Sequence, residues 1–168
     1  MYPKLMSRYK TLVDRLENIE LWLSTFLLTF LTLIVLLEVV SRYLFNRPYP
    51  WVLELTILLM TYMVFVAVPA LYKGRSLVII EFFFRKLPAS LRKFILFFWE
   101  ILIGFFSVVL TISTYQFMLV QMRYKSPTLD IPVAYFTFPL LLCAISMLIF
   151  NIYFILGHLE TFRKGKNG

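Results

Sequence analysis

The chain has 168 residues, of which 61% are apolar, 18% aromatic and 15% charged; so few charged side chains cannot cover a soluble core of this size, and a soluble fold is excluded. A net charge of +8 would suggest nucleic acid in a soluble protein, but here the basic residues flank apolar stretches instead of forming a patch. A single cysteine, Cys143, and a single histidine, His158, leave no disulfide, multi-cysteine metal site or bis-histidine haem site within one chain, so no cofactor and no metal is expected.

In residues 1–20, Leu5, Tyr9, Leu12, Leu16 and Ile19 fall on one helical face, while Lys4, Arg8, Lys10, Asp14, Arg15 and Glu17 occupy much of the rest. This pattern predicts an amphipathic helix lying on the cytoplasmic surface of a membrane. Four apolar runs follow, at about 21–45, 51–72, 94–120 and 133–156, each long enough for the roughly 20 helical residues that cross a hydrocarbon core of about 30 Å. The first is preceded by mixed charges and ends in Ser41-Arg42-Tyr43, without the small-residue cleavage pattern of a signal peptide. Leu77 to Phe84 is apolar except for Glu81 and too short to span, so it reads as an interfacial segment, after which Ser90 is placed to cap the third span. Residues 158–168 form a basic tail. The fold class expected is an all-α integral membrane protein of one domain, with four transmembrane helices, an N-terminal surface helix and a short interfacial segment.

Thirteen Lys and Arg lie before the first span, between spans two and three, and after the fourth, against Arg42, Arg47, Arg123 and Lys125 on the other side. This asymmetry predicts both termini in the cytoplasm.

Ionisable groups inside spans cost about 2.5–3.5 kcal/mol at mid-depth and need a reason to be there. Glu38 precedes Arg42 by four residues, the favourable order for an i,i+4 pair. Glu54 lies one turn into the second span beside Trp51, and the short 46–50 connection keeps the two helices close. Glu38, Arg42, Arg47, Trp51 and Glu54 are therefore read as an outer-surface cluster that either ties this hairpin together or presents charge to a partner. In the third span Glu100, Gly104, Ser107, Thr111 and Thr114 recur at steps of four and three. Small and hydroxylic residues in that pattern mark a protein interface in lipid, facing either another helix of this chain or another subunit, with a proton or ion site as the third alternative. Leu140, Ala144, Met147, Asn151 and His158 make a weaker stripe in the fourth span. No phosphate-binding Gly loop, nucleophile and base pair, or paired broken helices are recognisable, so neither catalysis nor a substrate-binding site is expected in this chain.

The stretch from Ser41 to Leu55, with its Arg42-Tyr43 and Trp51-x-x-Glu54-Leu55 elements, followed by Lys73-Gly74-Arg75, the segment containing Glu81 and Leu87-Pro88 before a basic start to span three, resembles the small membrane subunit of TRAP (tripartite ATP-independent periplasmic) transporters. The chain departs from the family pattern at Leu77, where a His is frequent, and at Val66-Ala67-Val68-Pro69, where a Gly is usual. The resemblance implies a bacterial inner-membrane location and two partners, a large TRAP membrane subunit and a periplasmic substrate-binding protein. It further implies secondary, commonly sodium-driven uptake of an organic acid, a carboxylate or sialic acid, with this chain bracing the large subunit. Two rival classes are a self-contained proton-coupled four-span exporter and a redox membrane anchor. An exporter needs its carboxylate deep in the first span, whereas Glu38 lies about two turns from the end and has Arg42 beside it; a haem anchor needs paired histidines.

Overall fold

A computed structural model describes residues 2–45, 49–74 and 89–164. It contains four long helices: α1, Tyr2–Phe45; α2, Pro50–Lys73; α3, Ala89–Gln121; and α4, Ala134–Lys164. Each holds an apolar stretch long enough to cross a membrane, and no strand forms among the described residues. The protein is all-α and spans the bilayer four times.

The surface helix and first span, expected as separate pieces, are one continuous helix of 44 residues. The reason is local: Leu16 to Trp22 contains no Gly or Pro, so nothing interrupts the i→i−4 ladder where the pattern changes from amphipathic to apolar. At 1.5 Å per residue α1 is about 66 Å long, about twice the hydrocarbon thickness. Its first turns pack on the middle of α4, around Ile149, Phe150 and Tyr153. Val13 is fully buried, and the Tyr9 hydroxyl donates to the Ile149 carbonyl at 3.0 Å. The covered stripe is thus Tyr9, Val13 and Leu16, and of the expected apolar face Leu12 and Ile19 stay about 60% exposed. Within the lipid-facing turns, Thr25, Thr29 and Thr32 donate their hydroxyls to carbonyls four residues earlier, which removes those protons from hydrocarbon.

α2 begins with Pro50 in its first turn, where the missing N–H has no intrahelical partner to lose. Pro69 and Pro139 lie inside α2 and α4, both buried. Helix α3 already includes Ala89, so Ser90 falls inside its first turn instead of capping it. The interfacial segment 77–84 and the motif residues Arg75, Glu81, Leu87 and Pro88 lie outside the described residues, as does Arg47.

α4 is the hub, contacting α3, α2 and the first turns of α1, while α1 and α2 pair with each other. The apolar core sits at the end of the molecule where α1 and α3 begin. There Val13, Tyr72 and Phe150 are buried together with Tyr9, Leu16, Ile103 and Phe154 around them, and the Tyr72 and Phe154 rings meet edge to face at 5.5 Å. The opposite end carries a structured connection between α3 and α4. Ser126 N–H donates to Ile131 O at 2.8 Å, Val133 N–H donates to Tyr124 O at 2.9 Å, and Lys125 bridges antiparallel to Pro132. Asp130 turns the chain at φ 53°, a left-handed conformation that Asp tolerates because its short polar side chain can bond locally.

Candidate functional site

Polar side chains gather at two levels. At the core end, three helices meet through Tyr72 of α2, Glu100 of α3 and Asn151 of α4, all three buried. The Tyr72 hydroxyl donates to Glu100 Oε2. The Asn151 amide donates to the main-chain carbonyl of Glu100 at 2.8 Å, and lies 3.2 Å from both Glu100 Oε2 and Tyr72 Oη. Gly104 makes the approach possible: a Cβ there would stand 2.5 Å from Asn151 Oδ1. The Asn151 side chain therefore occupies the space where a residue four positions after Glu100 would otherwise project, and it reaches a helix carbonyl that a larger neighbour would hide.

The rest of the α3 stripe continues this seam. Ser107 and Thr114 are buried, and Thr111 donates to Ser107 O at 2.7 Å. At the far end of α3, Gln121 accepts from the Thr137 hydroxyl of α4. Across the seam α4 contributes buried Ala144 and Asn151. Small residues let the two backbones approach, and the hydrogen bonds fix their register. Of the two partners left open by the sequence, the structure sets α4 of the same chain against this face. Leu140 and Met147 are half-buried; the His158 side chain lies outside the described residues.

Beside this junction, Lys73 at the end of α2 pairs with both Asp14 and Glu17 of α1, with its side chain largely buried. A lysine at a helix C-terminus also complements the helix dipole. Sequence reasoning assigned Asp14 and Glu17 to a solvated face and Lys73 to the topogenic charges; it did not find this contact, because 56 residues separate Glu17 from Lys73. Glu20, three residues after Glu17, has one carboxylate oxygen buried without a hydrogen-bond partner.

At the opposite end the expected five-residue cluster divides. Glu38 and Arg42 pair with each other within α1, and the Trp51 ring lies 6.2 Å from that of Tyr49. Glu54 turns to the α3–α4 connection: Oε1 accepts from Thr128 N–H at 3.0 Å and Oε2 from Leu129 N–H at 2.9 Å. It thereby fastens α2 to a loop 74 residues further along the chain. Two adjacent backbone donors match the two carboxylate oxygens of Glu54, a contact to the α3–α4 connection that neither sequence reading of the cluster included. Lys125 and Asp130 pair across the same loop at 3.0 Å.

Four helices long and apolar enough to span a membrane, joined by internal polar contacts, define a multi-pass membrane protein. Among the described residues no three His, Cys, Asp or Glu side chains converge as a metal site requires. The family description "Tripartite ATP-independent periplasmic transporters, DctQ component" matches residues 31–161, and the chain belongs to this family. It is the small membrane subunit of a TRAP-type transporter, a multi-pass protein of the inner membrane. No curated protein matches the chain.

Proposed function

We propose that this chain braces the large membrane subunit of its transporter during binding-protein-dependent, sodium-coupled uptake of an organic acid, a carboxylate or sialic acid. The observation that carries this reading is the use of the buried polar groups. Glu100, Asn151 and Tyr72 satisfy one another across three helices. A carboxylate that binds a coupling ion or substrate must instead be free to exchange partners. Glu100, Gly104, Ser107, Thr111 and Thr114 make up the internal seam, while Glu38, Arg42, Arg47, Trp51 and Glu54 brace the outer surface. The thirteen to four division of Lys and Arg supports cytoplasmic termini, with the α3–α4 connection in the periplasm.

The test is reconstitution of the large subunit in proteoliposomes, with and without this chain, with the binding protein outside and an inward sodium gradient. Uptake of a labelled organic acid is expected only with all three proteins and the gradient; full uptake by the large subunit alone would refute the bracing role. Reporter fusions after Gly168 and near Ser126 should lie on opposite sides of the membrane.

A further inference from the structure

The acidic residues around Arg15 are engaged by the rest of the bundle, and Arg15 itself is not. Lys73 holds Asp14 and Glu17 at the end of α2. Glu20, seven residues after Val13, shares its buried side of α1 and has an oxygen enclosed there. Arg15 is exposed and has no acidic partner among the described residues. On its side of α1 lie Leu12, Ile19, Trp22 and Phe26, at helical steps of three and four. All are exposed, Trp22 at 78%, and the same side continues through exposed Leu33, Leu37 and Leu44 along the apolar run. Arg15 therefore stands at the head of a membrane-spanning stripe that no other helix of this chain covers.

Lys73 sets the depth. It ends the apolar run of α2 and pairs with the acids that flank Arg15 in sequence, so Arg15 stands where the span meets water. Trp22 lies seven residues further on, about 10 Å deeper along the helix. A cation at this boundary, with Ile19 and an indole beneath it, matches the order of groups in a phospholipid, phosphate above and acyl chain below. A guanidinium can meet a phosphate through two parallel N–H donors. Headgroup charge decides the lipid class. A zwitterionic lipid neutralises its own phosphate, whereas an anionic one brings the countercharge that Arg15 lacks.

We propose that this stripe is a binding site for an anionic phospholipid, with the Arg15 guanidinium on the phosphate and Ile19 and Trp22 along the upper acyl chain. Lys73 acts as the positioning residue, because it draws Asp14 and Glu17 away and leaves Arg15 uncompensated. The site depends only on the chain spanning a bilayer and is independent of which substrate the transporter carries.

The first test places the full-length chain in phosphatidylcholine nanodiscs, in a Trp51→Phe and Trp99→Phe background that leaves Trp22 as the sole remaining one of its three tryptophans. Brominated phosphatidylglycerol is expected to quench Trp22 fluorescence at about one-fifth of the mole fraction needed with brominated phosphatidylcholine, a preference that narrows at high salt. Arg15→Gln should make the two quenching curves coincide, while Arg15→Lys should keep part of the separation. Coincident curves in the starting protein, or an undiminished preference in Arg15→Gln, would overturn the site. The second test uses the intact complex with a benzophenone side chain in place of Ile19. Photolysis is expected to cross-link it to phospholipid; cross-linking to the large subunit alone would make this stripe a subunit contact and overturn the proposal while leaving the bracing role intact.

Discussion

The two ends of this molecule are held by different kinds of contact. At the core end, Tyr72, Glu100 and Asn151 join side chain to side chain around Gly104, and an apolar cluster drawn from all four helices surrounds them. At the opposite end, Glu54 joins a side chain to main chain, and the groups it holds are exposed or half-exposed. The first arrangement depends on the identity of every participant, because an unmatched polar group in a low-dielectric interior costs the desolvation it cannot recover. The second depends on Glu54 and on a loop shape, and tolerates varied side chains on the loop. The core end is therefore fixed by matched side chains, and the other end by a loop whose backbone Glu54 holds in place.

The strongest way to break this contrast is to fill the space beside Asn151. Gly104→Leu drives a side chain into the amide and is expected to cost about 3 kcal/mol, combining overpacking with lost interhelical bonds, and to abolish stable complex in detergent. Ser107→Leu should act in the same direction. The same replacement at the exposed Phe105 and Val108 should be tolerated; equal loss at all four positions would argue against a special seam. Thermal denaturation of the purified complex reads the difference.

Removing one partner is the next largest change. Asn151→Leu leaves Glu100 with Tyr72 as its remaining hydrogen-bond donor in the junction and should cost about 1–2 kcal/mol. Glu100→Gln, which keeps an acceptor for Tyr72, should cost less. If the Gln variant is the worse of the two, the carboxylate has a role beyond joining helices.

A smaller effect is expected at the ion pairs. Lys73→Gln unpairs Asp14 and Glu17 and should loosen the first turns of α1 from α2, seen as faster thiol labelling of a Val13→Cys reporter, with a weaker difference at high salt. The smallest change in overall stability belongs to Glu54→Gln. Amide exchange at Thr128 and Leu129 should accelerate while the melting temperature of the complex stays unchanged. A large fall in melting temperature would make the two ends alike and erase the distinction.

Much of the fold was legible because it follows from one-dimensional quantities. The helix number follows from run length against bilayer thickness. The α3 face from Glu100 to Thr114 follows from helical period, since residues at steps of three and four share a side. The i,i+4 geometry similarly paired Glu38 with Arg42. Glu54 was singled out for its depth and its motif, but its contact with Thr128 and Leu129 was not legible. Proximity along the chain favoured the α1–α2 hairpin, whereas the geometric match was to two backbone donors on a distant loop. Val13 was overlooked because the amphipathic face was drawn to face a membrane surface, and a helix that packs on another helix buries a rotated stripe.

By itself the sequence determined what each segment had to be: helices that satisfy their own backbones in hydrocarbon, flanked by charges that belong in water. Tertiary structure alone decided which polar groups meet. That Asn151 reaches past Gly104 to Glu100, that Lys73 meets Asp14 and Glu17, and that Glu54 holds Thr128 and Leu129 are contacts between residues far apart in the chain. Such pairings depend on the rotation and offset of whole helices against one another, which no periodicity within a single helix specifies.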